Sequence, residues 1–252
     1  MTLIRRNHGR NHSYWVDGEK LPGVTTILRQ QPKPALVEWA GNTTADYALD
    51  NWDELAELKP SERLARLKRA RYVERDAAAR RGTQVHALAE QLAAGREVEV
   101  PEALTGHVES YVKFLDAFDP EPIALELVIA NREHRYCGTA DLVAHMRGAV
   151  WMIDIKTARS GIFPETALQV CAYSRAETYA DDDGSESPLA GLGIERCAAL
   201  HVRGDGYDLR PLETGPAVWE TFQHLAWLHH HAELAESWVG DAIDPPPLRA
   251  AS

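Results

Sequence analysis

VWMIDIKTARSG, running from Val150 to Gly161, is the stretch on which the fold turns. Val150, Trp151, Met152, Ile153 and Ile155 spell a buried β-strand, yet Asp154 and Lys156 stand inside it. Side chains alternate along a strand, so residues two apart share a face. Asp154 and Lys156 therefore point with Met152, while Ile153, Ile155 and Thr157 point the other way. Taken alone, a carboxylate beside an ammonium describes an ion pair at a sheet edge. The surrounding residues give the pair a different meaning.

Upstream, CGTADLV carries Asp141 just after a Gly-Thr. A strand, a tight turn at MRGA and a returning strand bring Asp141 near Asp154. Two carboxylates converging beside a lysine make a poor core and a good site for a hard divalent cation, which prefers oxygen ligands. GTQVHALAE places His86 and Glu90 four apart on one helix face, and LQVCAYSRA does the same for Gln169 and Tyr173. Glu126 lies between leucines in the strand before CGTADLV, and a carboxylate there needs a partner.

Around this centre the pattern changes period. The strands IALELVIA, YCGTADLVAHM and AVWMIDIK follow one another with short connectors, as in an antiparallel meander. PETALQVCAYSRAETYA reads as a helix, residues 181–188 as a polar loop, IERCAALHVRG with GYDLRPL as a hairpin, and PAVWETFQHLAWLHHHAELAESW as a closing helix. Before the meander, residues 13–28 read as two short strands joined at Asp17-Gly18. Pro34 opens a helix that Lys59-Pro60-Ser61 breaks, and Ser61 suits the N-cap of a long helix interrupted at Gly82-Thr83 and resumed to Gly95. A further helix fits PEALTGHVESYVKFLDAF. The expected fold is α/β (α+β): a central mixed sheet flanked by helices, with an N-terminal helical elaboration. We expect one domain over 1–240, with a hairpin and helical region over 1–81 and a core over 82–240, followed by a mobile tail over 241–252.

The 252 residues are 44% hydrophobic, enough for a substantial core. No window has the unbroken apolar run of a membrane helix, and the basic start MTLIRRNHGRNHSYW lacks the apolar centre of a signal peptide. A cytoplasmic protein with no membrane partner is expected. The net charge of -11 argues against a nucleic-acid partner only until its distribution is read. Between Arg63 and Arg81 the chain gathers Arg66, Lys68, Arg69, Arg71, Arg75 and Arg80, against Glu74 and Asp76. Cys137, Cys171 and Cys197 are scattered and form no CxxC pair. The three consecutive histidines at 229–231 do not share a helix face and read as a solvated patch. Among the tryptophans, Trp39 and Trp52 are the candidates for base stacking.

In order along the chain, GTxxHxxxE, GTxDLV, IDIKT and QxxxY resemble the RecB-type branch of the PD-(D/E)XK nuclease superfamily, which includes phage exonucleases. The resemblance runs from about Gly82 to Arg175, and LPGVTTIL with EWA extends it toward the N-terminus. It implies a restriction-endonuclease-like core and a Mg2+- or Mn2+-dependent deoxyribonuclease. It implies that His86, Asp141, Asp154 and the Ile155 carbonyl hold metal. Lys156 would position or deprotonate the attacking water, and Gln169 and Tyr173 would orient substrate and the active-site helix. Glu90 and Glu126 match acidic positions of variable role. Some members of this branch hold an iron–sulfur cluster on four cysteines; the cysteines here do not fit that pattern, so no cluster is expected. Arg66, Lys68, Arg69, Arg71 and Arg81 would follow the DNA backbone. The partner is then DNA, single- or double-stranded, with room for a recombination or single-strand-binding partner protein and for a homo-oligomer. An exonuclease is the leading reading, ahead of a structure-selective or restriction-like endonuclease and of a catalytically silent DNA-binding or scaffold protein.

Overall fold

Asp17 and Gly18 both take positive φ, as a two-residue hairpin demands, and the chain doubles back there. A computed structural model describes residues 2–8, 11–181, 185–232 and 234–243. Strands β1 (Leu3–His8), β2 (Asn11–Val16) and β3 (Glu19–Leu21) form a small antiparallel sheet. The alternation of Leu3, Arg5 and Asn7 places these residues opposite Val16, Tyr14 and His12. Leu3, Tyr14, Val16 and Leu21 pack as an apolar patch on Ala130 and Cys137 of the main sheet. The first of these strands was not legible in the basic N-terminal run.

Next come α1 (Val24–Ile27), α2 (Pro34–Asp50), α3 (Trp52–Glu57) and α4 (Pro60–Ala93). Two expectations are corrected here. Pro60, and not a residue after Ser61, opens α4, with Lys59 in the cap position; proline is preorganised for a first helical turn. Helix α4 also runs unbroken through Gly82-Thr83, so the junction expected at 81/82 lies inside one helix. The glycine has a packing reason: a Cβ on Gly82 would stand 3.2 Å from Thr157 Oγ1, so the helix crosses the end of a sheet strand at close quarters. With 34 residues, α4 is about 50 Å long at 1.5 Å per residue. Its C-terminal third buries Val85 and Ala89 in the core, while its earlier turns pack with α2 as an arm.

The main sheet follows α5 (Thr105–Phe118): β4 (Glu121–Asn131), β5 (Tyr136–Met146), β6 (Ala149–Lys156), α6 (Glu165–Ser174), β7 (Thr178–Ala180), β8 (Glu186–Pro188), β9 (Arg196–Arg203), β10 (Gly206–Pro211) and α7 (Pro216–His231). Its order is β10-β9-β6-β5-β4-β7-β8, antiparallel except for β6 beside β9. One face buries Ile129, Val143 and Met152 under α6 and α7, with Leu168, Val170 and Phe222. The other buries Ile153, Ile155 and Leu200 under α4 and α5, with Val85, Tyr111 and Phe114. The mixed sheet flanked by helices is thus the architecture expected. The three cysteines are free and buried.

Helix α6 stops at Ser174, six residues short of the expected Ala180. Asn131 Nδ2 donates to the Arg175 carbonyl at 3.0 Å, and Thr178 and Tyr179 pair with the open edge of β4. Pairing with a free sheet edge outweighs the helical pattern, and Glu186–Pro188 then adds a strand where a loop was expected. The rest of that loop, 182–184, lies outside the described residues. Helix α7 ends at His231, and residues 234–238 form a separate 3-10 turn. Of the tail, 241–243 has no regular structure and 244–252 lies outside the described residues. No helix among the described residues is long and apolar enough to cross a membrane.

Candidate functional site

The site begins with a break in alternation. On β4 and β5, Leu125 and Leu142 pack toward α4 and α5, whereas Leu127 and Ala140, two positions along each strand, pack toward α6 and α7. Between them lies the rung that the flanking pairs Leu125↔Leu142 and Leu127↔Ala140 assign to Glu126 and Asp141. Glu126 takes φ 47°, a left-handed conformation that is uncommon outside glycine. The change of face at this rung turns two carboxylates into the space between the layers. Such strain persists where the surroundings impose it, and it clusters at functional sites.

The β5–β6 ladder ends one rung further, at Leu142↔Ile153. Beyond it the Ile155 N–H has a side-chain acceptor: it donates to Asp141 Oδ2 at 2.6 Å. The other Asp141 oxygen stands 3.3 Å from Nδ1 of His86, delivered by α4. One ligand atom from each of His86, Glu126 and Asp141 lies within 4.8 Å of the others. Glu126 is therefore a full member of this cluster.

Asp154 faces a second set of partners. Lys156 Nζ lies 2.7 Å from Asp154 Oδ2, and Gln169 Nε2 donates to Asp154 Oδ1 at 2.8 Å. Gln169 Oε1 accepts from Lys156 at 3.0 Å, and its amide nitrogen also donates to Tyr173 Oη at 3.0 Å. One amide thus ties together the carboxylate, the ammonium and the phenol, and the i, i+4 spacing on α6 makes this possible. The Lys156 contact is close but not aligned as a hydrogen bond, so buried Asp154 Oδ2 keeps an unfilled acceptor position.

Gly138 sets the position of Tyr173. A Cβ there would stand 2.4 Å from Tyr173 Cε1 and 3.3 Å from Ile129 Cδ1. The ring occupies the place of the missing side chain. Gly138→Ala should cost about 1–3 kcal/mol of stability through overpacking, measured by urea unfolding; a cost under about 0.5 kcal/mol would mean that the ring moves freely.

These residues line one cleft of about 470 Å3, together with Glu90, Arg5, His12, Tyr14 and Thr139. The last four were not found from sequence. For three of them the signal was period-two alternation in LIRRNH and NHSYWV, which carries Arg5, Tyr14 and His12 to one face of the small sheet. Tyr14 and Thr139 hydroxyls meet at 2.9 Å across the gap between the two sheets. Arg5 Nη1 donates to Glu126 Oε2 at 2.9 Å.

Charge is divided unevenly among the acids. Burial pushes both Asp141 and Asp154 up, but the His86 beside Asp141 brings its carboxyl below the usual range. Asp154 remains raised, because the like charge of Asp141 adds to burial against the help of Lys156. Burial also raises Glu126, opposed by Arg5. Burial disfavours the His86 imidazolium, yet Asp141 raises its pKa to about 9. Lys156 is likewise raised, with Asp154 outweighing burial, and is an ammonium at neutral pH.

The donor set suits a hard or borderline divalent cation: imidazole from His86 and carboxylate oxygens from Glu126 and Asp141. Asp154 lines the same cleft outside that three-residue group, with its Oδ2 facing the Lys156 ammonium. Ile155 meets this set through its N–H on Asp141. The basic residues expected on the DNA backbone lie apart. Along the axis of α4, Arg71 is about 22 Å and Arg66 about 30 Å from His86. Arg66 pairs with Glu54, Arg71 lies over the Tyr72 ring at 4.7 Å, and Lys68 and Arg69 are exposed. Arg81 lies a turn and a half before His86 on the same helix. Trp52, on the arm, is 66% exposed.

No protein-family model matches this chain, and no curated protein matches it in sequence. Among solved structures, one titled "Crystal structure of SSO0001" aligns over 53% of this chain and 62% of its own length, at 17% identity and a TM-score of 0.30. The chain therefore spans less than two thirds of that structure, and a likeness at this level carries no functional argument.

Proposed function

We propose that the cleft is the active site of a divalent-cation-dependent deoxyribonuclease of the RecB-type PD-(D/E)XK kind, acting as an exonuclease in the cytoplasm of a bacterium or a phage-infected cell. The observation that carries the reading is convergence. His86, Asp141, Asp154, Lys156, Gln169 and Tyr173 come from four separated elements and line one cleft, with contacts linking His86 to Asp141, Lys156 and Gln169 to Asp154, and Tyr173 to Gln169.

His86, Glu126, Asp141 and Asp154 would hold the cation, Mg2+ or Mn2+. When bound, it supplies a Lewis acid for the phosphoryl oxygens and lowers the pKa of a water nucleophile. Lys156, charged through Asp154, cannot accept a proton at neutral pH. It acts as a fixed positive charge facing the negative charge that builds on the phosphoryl group. Gln169 holds Lys156 and Asp154 in register by bonding both. Tyr173 anchors that amide from behind, and Gly138 gives its ring room. Arg66, Lys68, Arg69 and Arg71 would extend the DNA track along the arm, with Arg66 about 30 Å, or roughly nine base pairs, from His86.

The test is digestion of end-labelled linear, nicked and covalently closed circular DNA, in Mg2+ and in Mn2+. Linear duplex should disappear at least about a hundredfold faster than the relaxed circle, since a threaded terminus substitutes for base-edge recognition. Linearisation of the circle at a matching rate would make the protein an endonuclease. No cleavage of any substrate, with either metal, would leave only a DNA-binding or scaffold role.

A further inference from the structure

Arg5 stands in the cleft with one task visible and another unfilled. Its Nη1 holds Glu126, while its Nε is buried with no hydrogen-bond partner. A buried unpaired donor is rare in native structures and calls for an explanation. Arg5 reaches the site from the small sheet, presented by β1, and its one side-chain hydrogen bond there goes to Glu126. Lys156, by contrast, is bound at once to Asp154 and to Gln169.

Charge balance assigns the second task. With His86 neutral, as a metal ligand must be, Glu126, Asp141 and Asp154 bring three negative charges, against two positive from Arg5 and Lys156. A divalent cation on these acids overshoots neutrality by one, and it does so beside a guanidinium that shares Glu126. Two cations on one partly buried carboxylate repel each other strongly. A phosphodiester in the cleft brings the one negative charge that restores balance. Guanidinium is suited to it, since Nε and one Nη form a fork that matches two phosphate oxygens. The unpaired Nε supplies half of that fork.

We propose, resting on the nuclease reading above, that Arg5 is a phosphate-binding residue that exchanges Glu126 for the substrate's phosphate when Glu126 turns to a divalent cation. Arg5 thereby couples metal binding to nucleic-acid binding: each strengthens the other through the release of one ion pair.

The experiment measures two affinities without turnover. Mn2+ is titrated calorimetrically into wild type, Arg5→Gln and Glu126→Gln. Binding of a short linear duplex is measured in Ca2+ and in EDTA. Arg5→Gln should bind Mn2+ about five- to tenfold more tightly, as expected for removing a competing ion-pair partner. It should bind duplex about tenfold more weakly in Ca2+ and within about twofold of wild type in EDTA. Glu126→Gln leaves β1 untouched and frees Arg5, so its duplex affinity in EDTA should rise about threefold. Unchanged Mn2+ affinity in Arg5→Gln, or equal losses of duplex binding with and without Ca2+, overturns the exchange and leaves the nuclease reading standing. So does the lack of any rise in Glu126→Gln, which decides the matter should Arg5→Gln not fold by circular dichroism. If wild type binds no Mn2+, the metal reading itself fails and the exchange fails with it.

Discussion

Replacing Lys156 with alanine is expected to lower turnover by about a thousandfold while duplex affinity changes by less than about threefold. The two effects separate because Lys156 lies in the cleft, 2.7 Å from Asp154 and 3.0 Å from Gln169, where on the proposed reading it would face only the reacting phosphate. On the proposed reading the rest of the duplex would be gripped elsewhere, by charges at the rim and along α4. The ammonium stabilises charge that is largest in the transition state, so its loss appears in kcat more than in binding. The fold should survive. Burial and Asp141 already push Asp154 toward its neutral form, so a carboxyl deprived of Lys156 takes up a proton and avoids standing as a lone buried anion. Lys156→Arg should not restore activity, because a planar fork cannot occupy the position of a compact ammonium between Asp154 and Gln169. End-labelled digestion and a duplex-binding titration in Ca2+ measure both halves. Wild-type turnover in the alanine variant would remove the proposed chemistry.

What could be read from the sequence, and what could not, follows from the range of each interaction. Strand β6 was legible because its alternation is local: Asp154 and Lys156 had to share Met152's face whatever the rest of the chain did. Gln169 and Tyr173, four apart, were legible for the same reason. Glu126 was harder. Its place beside Asp141 depends on register across β4 and β5 and on a φ of 47°, neither of which a strand pattern encodes. Arg5 was harder still, since it meets Glu126 from 121 positions away. Gly82 misled because a glycine inside a helical pattern has two meanings, a break or a close approach, and only Thr157 distinguishes them. The end of α6 misled in the opposite way, because the decisive partner was a free edge of β4. The basic run was visible in sequence, but its distance from the cleft was not. A long straight helix carries Arg66 far from His86 even though both belong to one pattern.

Asp141→Asn is the second large effect expected, and it can be checked without any assay of activity. Asp141 performs three tasks at once: it offers a ligand oxygen, accepts the Ile155 N–H at 2.6 Å, and holds His86 at 3.3 Å. Asparagine keeps an oxygen for Ile155, so the frayed end of the β5–β6 ladder should remain closed. It removes the charge that a cation needs, so Mn2+ affinity should fall by at least about a hundredfold and turnover by about a thousandfold or more. The same loss of charge acts on His86. Burial alone disfavours the imidazolium, and it is chiefly Asp141 that lifts its pKa to about 9. In the variant that lift is largely gone, and the His86 ring should titrate well below about 9, as followed by NMR of the imidazole protons in EDTA. The sign of the stability change follows from linkage. A histidine whose folded pKa is raised above its unfolded value of 6.5 contributes stability that is complete below that value and is lost as pH rises through about 9. Wild-type protein in EDTA should therefore lose melting temperature between those two pH values, and Asp141→Asn should show a much flatter profile over the same window. A His86 titration near its ordinary value in wild type would mean that the two side chains do not meet in solution. The cation site built on their contact would then have to be abandoned.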